Sequence, residues 1–439
     1  MSAKFIPFSP EPVKGQAILN FTRTLRYYGD DKVKDRLRRG MPRYEMELKE
    51  QVGTDAKTDN LVIRGECLSA CAYLKDKGVK VDLVYIDPPF ASGADYAKKI
   101  CLRRNVGSKV KKDSAIVEID NSSLAAFEEK MYGDIWEREK YLSWMYENLC
   151  AIRSVMSDDA SIFVHLDYHI VHYVKVMLDE IFGDNAFVNE IIWQRTDPHN
   201  DAKNRLGAIH DTILWYTKAD VPLYNWKEVV DDLSDSALNE YSLVKLPNGD
   251  VVAYEEGKSY PDGFRRFKLD DCTWKGSANR FEWRGAKPSD KRSWPYSSPQ
   301  EMDAAVASGE FYLRDKEKGA CRCRVSYLDE REGQLLQSIW VNCGRMKGGS
   351  DYATQKPDAL LERIIKAASN EGMLVADFFG GSGVTAAVAA KFGRRFVHAD
   401  VGLNSVQTAR DKLCAIKGAS FKCLDVKDGV QLYRNPVQT

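Results

Sequence analysis

The chain reads as an α/β fold built on a mainly parallel sheet, with an irregular segment inserted into it. Three observations predict this. Short apolar runs alternate with amphipathic stretches over 60–216 and again over 358–400, the β-α-β pattern of a parallel sheet. One run ends on Asp87-Pro88-Pro89-Phe90 and another opens into Phe379-Gly380-Gly381-Ser382-Gly383, so chemistry-bearing residues gather at strand ends, where open α/β sheets bind ligands. Between the two blocks the alternation disappears.

Taken in order, 1–57 is mixed and charged and reads as an irregular or helical N-terminal arm. A short strand at 60–66, a helix at 67–75 and a buried apolar strand at 83–86 form the first crossover unit. The prolines stop that last strand, because they cannot continue a hydrogen-bonded ladder. A helix at 138–156 carries Tyr141, Trp144, Met145 and Leu149 at helical spacing, a core stripe. Strands follow at 161–167, 187–193 and 211–216, with a helix at 170–182. From 219 to 349 aromatic and basic residues interleave: Trp274, Phe281, Trp283, Trp294 and Tyr296 among Arg265, Arg266, Lys275, Arg280, Arg284, Lys287, Lys291 and Arg292. That mixture suits nucleic-acid contact through phosphates and stacked bases; an accessory domain with an aromatic mini-core accounts for most of the tryptophans equally well. Patterning then resumes with a helix at 358–368, a strand at 373–378, a helix at 386–391 and a strand at 395–399 closing on Asp400.

Composition narrows the function classes. A chain of 439 residues can bury a large core, as one domain with an insertion or as two. Basic and acidic side chains balance at 64 each, so a polyanion would be held by local patches rather than by an overall field. No apolar run approaches a membrane span, the N-terminus lacks a signal-peptide pattern, and no membrane partner is expected. The ten cysteines are scattered and are expected to be reduced and buried. Cys67 with Cys71, or Cys321 with Cys323, could open a zinc site, but neither has a second pair at ligand spacing. His165, Asp167, His169 and His172 crowd together in sequence across a strand-to-helix change of direction; no metal is expected there either.

The two strand ends carry the chemistry. An exocyclic amine on a nucleobase is a poor nucleophile, its lone pair delocalised into the ring. A carboxylate (Asp87) and a carbonyl held by Pro88 and Pro89 can accept both amine N–H bonds and turn that lone pair towards an electrophile. Phe90 offers a face for an extruded base. The bland alternative is an ordinary strand-ending turn. The basic run after it, Lys98, Lys99, Arg103, Arg104, Lys109, Lys111 and Lys112, is either a solvated face or a phosphate contact. At the second strand end, strand, glycine turn, helix, strand and terminal acid describe a nucleotide-type cofactor site, with Asp400 seventeen residues beyond Gly383. The loop is not Gly-x-Gly-x-x-Gly and no Gly-Lys-Ser/Thr follows, which disfavours dinucleotide and ATP sites.

Phe-x-Gly-x-Gly after a strand resembles the S-adenosylmethionine loop of amino-methyltransferases. With Asp-Pro-Pro-Phe preceding it, the order resembles the permuted (β-group) DNA amino-methyltransferases. The segments Asp87 to Tyr96, Ser-Ile-Phe-Val-His-Leu-Asp at 161–167, His-Asp-Thr-Ile-Leu-Trp-Tyr-Thr-Lys at 210–218 and Thr-Gln-Lys-Pro at 354–357 resemble the adenine-specific Mod subfamily, which includes modification subunits of type III restriction–modification systems. The resemblance implies a Rossmann-like S-adenosylmethionine-dependent methyltransferase fold with an inserted target-recognition domain. It assigns Asp87, Pro88, Pro89 and Phe90 to catalysis. Glu66, Gln355, Lys356, Asp377, Phe379, Gly381, Ser382, Gly383 and Asp400 would hold the cofactor. Glu66 stands where aspartate is usual, Phe378 where proline is common and Val384 where threonine is common. Lys98, Lys99, Arg103, Arg104, Lys111, Lys112, Arg265, Arg266, Arg280 and Arg284 are the expected DNA contacts. The implied division is 1–57 arm, 58–218 catalytic half, 219–349 target recognition, 350–425 cofactor half and 426–439 tail. Double-stranded DNA, a homodimer and a separate restriction subunit are the implied partners, in the cytoplasm of a prokaryotic cell or encoded by a phage or mobile element. The expected reaction is transfer to adenine N6, because Asp heads the motif where Ser is the commoner cytosine choice. Cytosine-N4 transfer and a catalytically weak DNA-binding protein of the same fold remain the alternatives.

Overall fold

The structure, a computed structural model, describes residues 40–41, 44–55, 57–89, 138–198, 206–345 and 355–427. Two compact units emerge, one formed by the chain up to 224 together with 338 onward, the other by 225–337. The first unit begins with β1 (Met46–Val52), β2 (Leu61–Arg64), α1 (Cys67–Asp76) and β3 (Val81–Ile86). It continues through α2 (Arg138–Val155), β4 (Met156–Leu166), α3 (Val171–Phe182), β5 (Phe187–Gln194) and β6 (His210–Thr217). In the second unit lie α4 (Asp235–Glu240), β7 (Leu243–Lys245), β8 (Val251–Ala253), β9 (Arg265–Asp271), β10 (Trp274–Lys275), β11 (Arg292–Ser293), α5 (Pro299–Ser308) and β12 (Arg322–Tyr327). The first unit closes with β13 (Ile339–Trp340), α6 (Asp358–Ala368), β14 (Leu374–Asp377), α7 (Val384–Lys391), β15 (Arg395–Asp400), α8 (Leu403–Cys414) and β16 (Phe421–Val426).

Among the described residues the first unit forms one sheet in the order β1-β16-β2-β15-β14-β3-β4-β6-β5-β13. The run from β16 to β4 is parallel throughout; β6 runs antiparallel to both its neighbours, and β1 runs antiparallel to β16. The central strands are apolar on both faces, as burial under helices requires: Leu83, Val84, Ile86, Ile162, Val164, Leu374 and Ala376 are fully buried. Tyr141, Met145 and Leu149 of α2 join this core, as their spacing predicts. So does the apolar stripe of α6, where Leu360, Leu361, Ile364 and Ile365 are at most 1% exposed.

Strand order places the site. From β14 the chain passes through α7 to β15 on one side, whereas from β3 it passes through α2 to β4 on the other. Adjacent strands whose connections depart in opposite directions open a crevice beyond their carboxyl ends, the topological switch point of an open sheet. Asp87 follows β3 at that crevice and the glycine turn follows β14. The backbone N–H of Leu374 donates to Asp82 Oδ2 at 2.8 Å, which ties the start of β14 to β3.

The N-terminal arm departs from the sequence reading: 46–52 is a strand, not irregular or helical chain. Its inserted partner also differs in extent. Ile339 and Trp340 pair in parallel with Ile192 and Trp193, so the chain has returned to the sheet before 349. The second unit holds a four-stranded sheet, β12-β9-β7-β8, and the β10–β11 pair. Its core gathers Trp283, Trp294, Phe311, Leu313 and Met302. Both tryptophans satisfy their N–H when buried, Trp294 Nε1 donating to Phe281 O and Trp283 Nε1 to Asp303 Oδ1, each at 2.8 Å.

Candidate active site

Four neighbouring parallel strands, β2, β15, β14 and β3, deliver their carboxyl ends to one edge. Glu66 lies just beyond β2, Asp400 ends β15, the glycine turn leaves β14 and Asp87 leaves β3. The Gly65 N–H donates to the Asp400 carbonyl at 3.0 Å, which fixes Glu66 beside the end of β15. Its carboxyl accepts a 3.4 Å hydrogen bond from Tyr44 Oη. Burial pushes its pKa up to about 7 against the lowering by that bond, with the Glu147 charge adding to the rise.

The glycine turn is held from within. Asp377, buried, accepts from the Phe379 N–H at 3.1 Å and from Thr385 Oγ1 at 2.6 Å. Burial raises its carboxyl to about 7, opposed by those two bonds and reinforced by the charges of Asp87 and Asp400. Asp377 therefore pins the loop by both oxygens. Asp400 Oδ2 accepts from the Gly381 N–H at 2.9 Å and Oδ1 from the Gly402 N–H at 2.8 Å. Ser405 Oγ donates to the Gly381 carbonyl. Gly383, with φ of +75°, begins α7 directly against α8: an added Cβ would lie 2.4 Å from Ala409 Cβ. A Cβ on Gly380 would meet His398 Nδ1 at 2.2 Å. Only glycine fits either position. Ser382 is buried in the turn, and Phe379 stands edge-on to Trp144 with centroids 5.5 Å apart.

Asp87 meets Lys356, buried, through Oδ2. Among the described residues its other oxygen, Oδ1, is buried without a hydrogen-bond partner. A buried carboxylate oxygen left unpaired is costly, so this atom is an acceptor waiting for a donor. Pro88 is buried and Pro89 half-buried beside it. Gln355, next to Lys356, accepts from Lys412 Nζ at 2.9 Å. The structure thus brings together Asp87, Pro88, Pro89, Glu66, Gln355, Lys356, the 377–383 turn and Asp400 along one sheet edge.

Phe90 and the basic run of Lys98, Lys99, Arg103, Arg104, Lys111 and Lys112 lie outside the described residues. The four arginines expected at DNA have partners within the second unit. Arg265 grips Asp329 and Glu330, and Arg266 donates to the carbonyls of Tyr241 and Leu238. Arg280 pairs with Asp290 and Arg284 with Asp303.

The histidine cluster does not converge. His169 pairs with Asp167 at 2.6 Å. His165 instead enters a buried chain, with Nδ1 2.8 Å from Tyr85 Oη and Nε2 3.2 Å from Asp211 Oδ2. Asp211 also lies 3.3 Å from Arg195. Sequence reading did not single out Tyr85 or Asp211. The available signal was proximity in sequence, since Tyr85 stands two residues before Asp87 at the end of the same apolar run.

Residues 81–411 match the model of a family described as DNA methylase. The chain is similar to the type II methyltransferase M.EcaI of Enterobacter cloacae, 27% identical over 378 residues, covering 82% of this chain and 71% of that protein. It is also similar to the StyLTI Mod subunit, from a type III restriction-modification enzyme of Salmonella typhimurium, at 26% identity over 344 residues, covering 74% of this chain. The chain spans about half the length of that Mod subunit, 49%. The solved M1.HpyAVI–SAM complex aligns over 80% of this chain and 100% of that one, with 13% identity and a TM-score of 0.36. No helix among the described residues is long and apolar enough to cross a membrane.

Proposed function

The chain belongs to the DNA methylase family, and we propose that it is an S-adenosylmethionine-dependent DNA methyltransferase of Mod type that methylates N6 of an adenine turned out of double-stranded DNA. The observation that carries this reading is Asp87 Oδ1, a buried acceptor at the switch-point crevice with no partner among the described residues.

The donor set fits the cofactor. Carboxylates at Glu66 and Asp400 stand at the ends of adjacent strands, ready for amine and hydroxyl donors. Backbone at Phe379, Gly381, Ser382 and Gly383 lets a ligand approach closely at the start of α7, while Lys356, in the segment before α6, meets Asp87 at the crevice and its neighbour Gln355 is held by Lys412. S-adenosylmethionine, when bound, supplies an electrophilic methyl group on a sulfonium. The protein's own part is to present the nucleophile. Asp87 Oδ1 accepts one amine N–H and the Pro88 carbonyl the other. The nitrogen moves towards tetrahedral geometry, and its lone pair is aimed across the crevice. Asp87 is then the nearest acceptor for the proton that the alkylated amine must shed. Lys356 supplies the counter-charge, and no covalent enzyme intermediate is needed.

Adenine is favoured because a carboxylate heads the motif. A restriction–modification setting suits the Mod-type relatives; a homodimer and a separate restriction subunit belong to this proposal, as does a cytoplasmic location. The test is to incubate purified protein with S-adenosylmethionine and unmethylated DNA, digest to nucleosides and identify the product by mass. N6-methyldeoxyadenosine is expected. N4-methyldeoxycytidine would overturn the base assignment, and absence of any modified nucleoside would overturn the activity.

A further inference from the structure

Beneath the catalytic loop a polar chain crosses three adjacent strands. Tyr85 on β3, His165 on β4 and Asp211 on β6 are each at most 5% exposed, and they join through contacts of 2.8 and 3.2 Å. Asp211 faces Nε2 of His165 and the Tyr85 hydroxyl faces its Nδ1, so both ring nitrogens have a polar partner. Trp193 stands edge-on to the imidazole with centroids 5.4 Å apart, and Arg195 lies 3.3 Å from Asp211. A core built for stability alone does better with apolar side chains, because a buried polar chain costs free energy unless every member is satisfied.

Its placement gives it a use. Tyr85 is the penultimate residue of β3, two residues before Asp87, which follows the strand directly. Lys356 holds Asp87 through Oδ2. The catalytic carboxylate is thus linked to Asp211 through the end of β3, by way of Tyr85 and His165.

We infer that Tyr85, His165 and Asp211 form a positioning chain that fixes the carboxyl end of β3, and with it Asp87 and the Pro88 carbonyl, in the geometry needed for methyl transfer. None of the three touches the base or the cofactor. This rests on the reading of Asp87 as the amine acceptor, and it adds that the transfer rate depends on side chains outside the crevice.

The experiment is single-turnover methyl transfer by the full chain at saturating DNA and S-adenosylmethionine, with active sites titrated, for wild type, Tyr85→Phe, Asp211→Ala, Asp211→Asn and Tyr85→Phe/Asp211→Ala. Tyr85→Phe and Asp211→Ala are each expected to slow transfer by about 10-fold or more, with the KM for cofactor and for DNA within about twofold of wild type. The double variant falls no further than the slower single one, since the members act in series. Asp211→Asn, which keeps an acceptor for Nε2, recovers part of the rate. A purely structural role would lower the titrated active fraction and leave the rate constant unchanged. Tyr85→Phe removes a single oxygen, and it decides the matter if the Asp211 variants do not fold. A Tyr85→Phe rate within twofold of wild type overturns the chain while leaving the proposed function standing. A wild-type protein that transfers no methyl group overturns both.

Discussion

Gly383→Ala separates two costs that are usually confounded. At Gly383 the backbone has φ of +75°, and a Cβ would fall 2.4 Å from Ala409 Cβ and 2.6 Å from Ala409 Cα. Left-handed backbone with a Cβ costs about 1 kcal/mol. Forcing a methyl group into a packed contact costs about 1–3 kcal/mol more, and the obstacle here is the α8 main chain rather than a side-chain end that could swing aside. The sum is about 2–4 kcal/mol. Gly78→Ala is the control, because Gly78 has φ of +68° and nothing within 4 Å of an added Cβ, so it should show only the backbone part, about 1 kcal/mol. Urea denaturation of both variants measures the difference, and titration calorimetry reads the consequence. Gly383→Ala should weaken S-adenosylmethionine binding by about tenfold or more as the turn is pushed off α8, with Gly78→Ala unaffected. Equal stability of the two variants, or unchanged cofactor affinity in Gly383→Ala, would refute the claim that close packing of this turn on α8 shapes the cofactor site.

Two further outcomes concern buried titrating groups behind the same turn. Thr385→Val removes the donor to Asp377 Oδ2 and should cost about 1–3 kcal/mol. Asp377 is raised to about 7, so the native state holds a proton that the unfolded chain releases near pH 4. Its contribution is present in acid and is lost as pH rises towards 7. The variant should therefore be destabilised more at pH 8 than at pH 5 by urea denaturation, and an equal loss at both would contradict the assignment. His398 has the opposite sign. Burial lowers it from 6.5 to about 4, with the Lys412 charge contributing, so its stabilisation is present above pH 6.5 and is lost as pH falls to about 4. Its size is about 3 kcal/mol. His398→Leu should reduce the acid loss of stability by about that amount across this window; an unchanged acid limb would show that His398 does not titrate there.

The parts of the fold that follow from apolar patterning were legible. The stripe of α6 and the strands on either side of the crevice follow from burial on one face or on both. So did the two strand ends, since prolines after Ile86 and glycines after Phe379 leave few other conformations. β1 was not legible. Its residues are largely polar and Leu48 is 53% exposed, because an edge strand is held by its backbone ladder with β16 and by the Arg410–Glu50 pair rather than by apolar side chains. α8 escaped for a related reason. It packs through Ser405, Val406, Ala409 and Leu413, a face on which Ser and Ala dilute the apolar periodicity. Arginine function was illegible in the second unit, because a basic residue near an aromatic looks the same in sequence whether it meets a phosphate or, like Arg265, two carboxylates. The Tyr85–His165–Asp211 chain depends on strand order. Its members are separated by 80 and 46 residues, and only the sequence β3-β4-β6 across the sheet brings them together.

The most direct test of the account is single-molecule sequencing of DNA from cells expressing wild type or Asp87→Ala, with cofactor binding by each purified protein measured alongside. N6-methyladenine is expected at one short motif with wild type only, with cofactor affinity largely retained by the variant. Methylation that persists in Asp87→Ala would contradict it.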